Sequence, residues 1–295
     1  MPGAADSCGV VRAALGGLSS RVSDEFTARL EWDGMPEGSE RTAVLSVVIP
    51  VYNERDTWRE LVARVESVPM ADVGRQLILV DDGSTDGTRE QLAAFAAEQG
   101  EPAGLPGAGA VAFHVVYHDR NQGKGAALRT GFQAAGGDVV VVQDADLEYD
   151  PRDHAGLIEP ILRGEADVVY GSRFRGGRRG GYWKNYLANR FLTFLSNLTT
   201  GLKLTDMETC YKMLRRDVLA AIPLEQDRFG FEPEITAKLA RRPVRIGELP
   251  IAYDSRSHAE GKKIGWRDGL KAIWCIFRYG RRLRRKARMV ACEAP

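Results

Sequence analysis

Long apolar runs are missing from this 295-residue chain, and none approaches the roughly 20 residues that a membrane-spanning helix requires. The first residues also lack the basic start and continuous apolar stretch of a signal peptide. Cysteine is scarce. Cys8, Cys210, Cys275 and Cys292 form none of the close pairs of a zinc site or a dense disulfide framework, so they read as free thiols in a reducing compartment. A charge excess is missing too: 41 Lys and Arg face 40 Asp and Glu, a net charge of +1. That balance gives no global attraction to nucleic acid or to a strongly acidic partner. Together these absences predict a cytoplasmic chain that at most rests on the cytoplasmic face of a membrane.

What is present is an ordinary 44% hydrophobic content, enough for one main domain at this length. Residues 1–42 mix Gly, Ser, Ala and charges without period and read as a poorly ordered extension. The pattern changes at Val44-Leu45-Ser46-Val47-Val48-Ile49, a β-branched apolar run that reads as a buried parallel strand stopped by Pro50. Strands are then expected at 76–80, 111–117, 138–143 and 167–170, alternating with helices at 56–67, 86–99, 124–135 and 153–163. Repeated units of this kind imply an α/β fold with a mostly parallel central sheet covered by helices. The domain is expected to span 43–280, with a less regular second half and a basic tail at 281–295.

Ligands of open α/β sheets bind beyond the carboxyl ends of the strands, and the residues there are unusually polar. The first strand ends in Pro50-Val51-Tyr52-Asn53-Glu54, the second in Asp81-Asp82-Gly83-Ser84, and the fourth in Asp144-Ala145-Asp146. Two carboxylates one small residue apart at a strand end can share a hard cation, with Mg2+ or Mn2+ as the natural occupant. Such a cation suits a diphosphate leaving group; the same residues also suit helix capping or simple exposure. Asp82 and Glu54 offer acceptors and Tyr52 a stacking face for a nucleotide, although a DDGS string by itself is more often an ordinary turn and a strand-end Tyr more often simple packing. Asn121-Gln122-Gly123-Lys124-Gly125 opens a helix like a phosphate loop but lacks Walker spacing, and its glycines serve either a ligand or close helix packing.

In order and spacing, VVIPVYNE (47–54), VDDGSTDGT (80–88), NQGKGAALRTGF (121–132), DADLE (144–148) and YGSRF (170–174) resemble glycosyltransferase family 2. The similarity is greatest to its dolichol-phosphate mannose synthase and polyprenyl-phosphate sugar transferase branch. It implies a GT-A fold, dependence on Mg2+ or Mn2+, a nucleotide-sugar donor of the GDP-mannose or UDP-glucose type, and transfer with inversion to a polyprenyl phosphate at a membrane surface. It assigns Pro50, Tyr52, Glu54, Val80 and Asp82 to the nucleotide, and Asp144, Ala145 and Asp146 to metal and diphosphate. Glu148 stands beside them where the family often has glutamine. Arg173, Arg256 and Lys262 match cations near the phosphates, and Asp206 in Thr205-Asp206-Met207-Glu208 matches an aspartate on the acceptor side. Asp146, Asp206 and Arg173 are the expected catalytic residues.

A hydroxyl acceptor needs a base whereas an ionised phosphate does not. Glu232, Glu234 and Asp206 are the candidate bases for a soluble or cell-wall acceptor, while the arginine-rich loop at 173–179 suits an anionic one. Trp266, Leu270, Ile273, Trp274 and Phe277 recur at helical spacing before a basic cluster, which fits either an anionic membrane surface or a core-packed helix. A third reading, from a different class, is an inactive nucleotide-sugar-binding protein.

Overall fold

The computed structural model describes residues 42–100, 104–175, 183–254, 266–280 and 286–292. Its strands are β1 (Ala43–Val51), β2 (Val73–Asp81), β3 (Val111–Tyr117), β4 (Val139–Val142), β5 (Val168–Ser172), β6 (Lys212–Arg215), β7 (Arg245–Pro250) and β8 (Arg288–Met289). Its helices are α1 (Trp58–Ser67), α2 (Thr88–Gln99), α3 (Lys124–Ala134), α4 (Asp153–Leu162), α5 (Trp183–Thr200), α6 (Arg216–Ala220), α7 (Phe231–Ala240) and α8 (Trp266–Gly280). The strands form one sheet in the order β3-β2-β1-β4-β6-β5-β7-β8. Every pairing is parallel except those of β6 with β4 and β5.

Val139–Val142 are all buried to 1% exposure or less. Successive side chains point to opposite faces of a sheet, so complete burial means that both faces of β4 are covered. This is why the strands read as continuous apolar runs and not as alternating ones. Pro50 does not stop β1, which continues to Val51 opposite Asp81. The Val51 carbonyl faces β2, where it accepts from the Asp82 N–H. Pro50 therefore faces the β4 side, where pairing has already ended at Val48 and Val142, and its missing donor costs no ladder bond.

The order places a topological switch between β1 and β4: the chain moves outward from β1 through β2 and β3, then returns to the other side of β1. The crevice beyond the carboxyl ends of those two strands is where such sheets bind ligands. Because β6 is antiparallel to both neighbours, β5 runs the same way as β4. The residues after β5 and those before β6 thus arrive at the same edge.

The second half departs from expectation in two places. The short helix α6 follows β6 directly, and part of the expected basic tail is built into the sheet. Arg288–Met289 pair parallel with β7, and Ala287 is buried. The apolar residues Ala287, Met289 and Val290 interrupt the run of cations there, which is the signal that composition alone obscured.

Candidate active site

Asp144 and Asp146 leave the end of β4 at the switch crevice. Lys124, the first residue of α3, lays its Nζ across both Asp144 oxygens, 2.8 Å from Oδ1 and 3.0 Å from Oδ2, and 3.3 Å from Glu232 Oε1. Burial works against the lysine charge, but Asp144 and Glu232 outweigh it and hold its pKa well above the ordinary value. Asp144 is thus already paired with one cation, the Lys124 ammonium. Among the described residues no three His, Cys, Asp or Glu side chains are grouped to hold a metal. Two carboxylates with water and substrate phosphate completing the shell are nevertheless a usual arrangement for Mg2+, so Asp144 and Asp146 fit the ion.

The turn after Asp146 is backbone-strained: Leu147 has φ 62°, a left-handed conformation uncommon outside glycine. It brings the Glu148 N–H 3.2 Å from Asp146 Oδ1. Glu148 in turn accepts from the Tyr253 hydroxyl at 2.8 Å, and its carbonyl accepts from the Asp254 N–H. The glutamate is thereby linked to the chain beyond β7.

The loops after β1 and β2 are joined side by side. The Asn53 N–H donates to Ser84 Oγ, the Thr85 N–H to Asn53 Oδ1, and the Glu54 N–H to Thr88 Oγ1. Tyr52 and Glu54 are half-buried there, with Glu54 Oε2 accepting from Thr57 at 2.7 Å. Asp82 is placed differently from a simple nucleotide acceptor. Its two oxygens take the Gln122 and Gly123 N–H groups at 2.9 and 2.7 Å, and His118 Nδ1 lies 2.7 Å from Oδ1. The anion at the N-terminus of α3 is therefore the protein's own Asp82.

The glycines of this loop serve packing. A Cβ on Gly125 would lie 2.1 Å from the Gln226 carbonyl, and one on Gly123 would lie 2.4 Å from that of Asp227. The opposing backbone is pinned, since Gln226 N–H donates to Glu234 and the Asp227 carbonyl accepts from Ala126. Gly125→Ala is expected to lower stability by about 1–3 kcal/mol in urea unfolding, the usual cost of overpacking. Unchanged unfolding together with weakened donor binding would reassign this glycine to the ligand.

On the other side of the crevice, Arg173 and Asp206 form a fork. Nε and Nη2 donate to the two carboxylate oxygens at 2.7 and 2.8 Å, and the Arg173 N–H adds a third bond at 3.1 Å. The Asp206 side chain has no exposure and that of Arg173 has 9%. Glu248 caps the same turn by accepting from the Thr205 and Asp206 N–H groups. Glu234 is also buried, holding the Glu225 and Gln226 N–H groups and Lys238.

Glu208 has a different environment, and nothing in its position along the chain marked it out from Asp206. Its Oε1 is buried without a hydrogen-bond partner, and burial with the nearby Glu232 charge pushes its pKa up to about 8.

The profile of glycosyl transferase family 2 matches residues 46–222. The chain belongs to that family. Dodecaprenyl-phosphate galacturonate synthase of Rhizobium johnstonii is 30% identical over 219 residues, covering 74% of this chain and 61% of that protein. An undecaprenyl-phosphate 4-deoxy-4-formamido-L-arabinose transferase of Edwardsiella ictaluri is 35% identical over 221 residues, 74% of this chain and 62% of that protein. The chain thus spans about three fifths of the length of these relatives. Among solved structures, glucosyl-3-phosphoglycerate synthase from Mycobacterium tuberculosis, crystallised with Mn2+, UDP and glucosyl-3-phosphoglycerate, superposes with a TM-score of 0.59 at 22% identity over 80% of each chain. The fold is GT-A.

Within this family 2 chain, the residues expected at the donor site are placed unequally. Pro50, Tyr52, Glu54, Asp144, Asp146 and Glu148 follow or end β1 and β4 at the crevice. Val80 has no exposed surface and Ala145 only 4%, so neither side chain lines it. Arg173 reaches the correct edge but is occupied by Asp206. Arg256 and Lys262 lie outside the described residues. Lys124, in a loop of low motif specificity, is the cation paired with Asp144, and its position opening the helix that leads into β4 was the available signal.

Proposed function

We propose that this family 2 chain transfers a sugar from a nucleotide-diphosphate-sugar to a polyprenyl phosphate, with inversion at the anomeric carbon. Asp144 and Asp146 would hold Mg2+ or Mn2+, which when bound supplies charge neutralisation for the departing diphosphate. Tyr52 and Glu54 face the nucleotide, and Lys124 can exchange Asp144 for a phosphate oxygen without leaving the crevice floor. Asp82 acts on the nucleotide side by holding the loop that carries Lys124. The Arg173–Asp206 pair fixes the wall on the acceptor side.

One observation carries the choice of acceptor: the carboxylates expected as bases are already occupied. Asp206 is forked by Arg173, Glu234 is held by two N–H groups and Lys238, and Glu232 faces Lys124. A phosphate monoester is ionised at neutral pH and attacks without a base. The names of the relatives, which are polyprenyl-phosphate enzymes, support the same reading. A hydroxyl acceptor is the second reading, favoured by Glu208 alone, whose unpartnered oxygen and pKa of about 8 place it among groups able to exchange a proton near neutrality.

The test is transfer of label from radiolabelled GDP-mannose or UDP-glucose into the organic phase, with Mn2+, with and without polyprenyl phosphate. Lipid-dependent label that survives Glu208→Gln is the expected result. Donor binding without lipid-dependent label would overturn the proposal. Transfer to soluble acceptors that is lost in Glu208→Gln would establish the second reading.

A further inference from the structure

The described large apolar side chains that stay exposed are concentrated on two helices. On α5 they are Leu187, Phe191, Phe194 and Leu198, between 53% and 69% exposed. On α8 they are Leu270, Trp274 and Phe277, between 42% and 57% exposed. The spacings of four, three and four residues on α5, and of four and three on α8, put each set on one stripe. The opposite faces are the packed ones: Leu192, Thr193 and Ser196 on α5, and Ala272, Cys275 and Ile276 on α8, are buried. The two helices touch, and a Cβ on Gly280 would come within 2.6 Å of Thr199, so their C-terminal ends meet closely. A membrane-facing helix and a core-packed helix were alternatives for α8, and the structure gives it both faces.

Charge indicates what covers the stripes. Residues 183–200 contain no Asp or Glu and carry Lys184 and Arg190; α8 carries Arg267, Lys271 and Arg278 against Asp268. Arg190 and Arg278 are exposed beside the apolar residues, with the Arg278 guanidinium 5.2 Å over the Trp274 ring and 4.0 Å from Glu225. The sequence continues as Arg281-Arg282-Leu283-Arg284-Arg285-Lys286. A second copy is disfavoured because a two-fold interface sets the same patch against itself, bringing these cations together. An apolar, aromatic stripe flanked by cations matches the boundary between anionic headgroups and acyl chains.

We infer that α5 and α8 together form a docking surface for an anionic lipid bilayer, with Phe191, Phe194, Leu198, Trp274 and Phe277 entering the interface. This does not depend on the proposed reaction, because lipid binding is measured without donor or acceptor. The experiment is co-sedimentation of the full chain with phosphatidylcholine vesicles, with and without phosphatidylglycerol, alongside light scattering in the absence of lipid. Binding is expected to require phosphatidylglycerol, to weaken with salt, and to fall roughly tenfold or more in Phe194→Gln/Leu198→Gln and in Trp274→Gln. Leu105→Gln, at an exposed apolar residue remote in sequence from both helices, is expected to leave it unchanged. Because the substituted side chains are solvent-exposed, circular dichroism should be that of the parent. The inference is overturned by absence of vesicle binding, by binding that the α5 and α8 substitutions do not affect, or by a lipid-free dimer that those substitutions dissociate.

Discussion

Asp146→Asn is expected to lower turnover by about a thousandfold, the ~4 kcal/mol expected when one of two anionic ligands of a charge-neutralising ion becomes neutral. The amide keeps the size of the carboxylate and can still accept the Glu148 N–H through its carbonyl oxygen, so the turn at Leu147 should persist. The loss should therefore appear in turnover and in Mn2+-dependent donor binding, while urea unfolding and circular dichroism stay close to the parent. Asp144→Asn gives an informative comparison. It removes the charge that Lys124 spans at 2.8 and 3.0 Å, leaving that ammonium with Glu232 at 3.3 Å. Both ligand loss and displacement of Lys124 then contribute, and the defect should be at least as large. Full metal-dependent turnover in Asp146→Asn would remove the metal from this position.

The largest expected effect on stability is at the Arg173–Asp206 fork. Asp206→Ala leaves the Arg173 guanidinium in a site where its side chain is 9% exposed, with two donors and a backbone N–H deprived of their acceptor. Removing one partner of a buried pair typically costs about 3–5 kcal/mol, because the remaining charge is left uncompensated. Urea unfolding at neutral pH is the measurement. Arg173→Met/Asp206→Leu should be less destabilised than Asp206→Ala alone, since removing both charges eliminates the stranded one. This comparison also separates a wall-building role from a catalytic one. If Asp206 were a base, the Asp206→Asn protein that remains folded would not transfer sugar. If the fork is structural, stability falls and the remaining folded protein retains activity. A cost below about 1 kcal/mol for Asp206→Ala would mean the fork is solvated in solution and worth no more than a surface pair.

Much of the architecture was legible before any coordinates. The run at 44–49 and the four valines at 139–142 could be read as parallel strands because burial on both faces leaves no alternating polar positions. The acidic groups after β1, β2 and β4 could be placed on one edge because parallel strands all end there. Pro50 and the segment at 286–292 were harder to read. Whether a proline ends a strand depends on what its missing donor would have faced, and two residues of edge pairing at Arg288–Met289 are too short to register as a strand.

The state of each polar side chain was a different matter. Asp82 could be read as a nucleotide acceptor or as part of a turn, and Arg173 was placed near the phosphates by resemblance; both are engaged by other parts of the chain. Asp82 is held from 41 residues away by Gly123, Arg173 from 33 residues away by Asp206, and Thr205 from 43 residues away by Glu248. Such distances carry no local signal, since composition and spacing report what a side chain can bond and not which partner reaches it first.

The sequence by itself determined the α/β alternation, the edge on which the chemistry gathers and the pair of aspartates most suited to a cation. These follow from local periodicity and from the geometry of parallel strands. Only the tertiary structure decided that Lys124 spans Asp144, that the candidate bases at 206 and 234 are occupied, and that α5 and α8 leave apolar stripes uncovered. Those outcomes depend on which elements pack together, and burial and pairing are properties of the assembled chain.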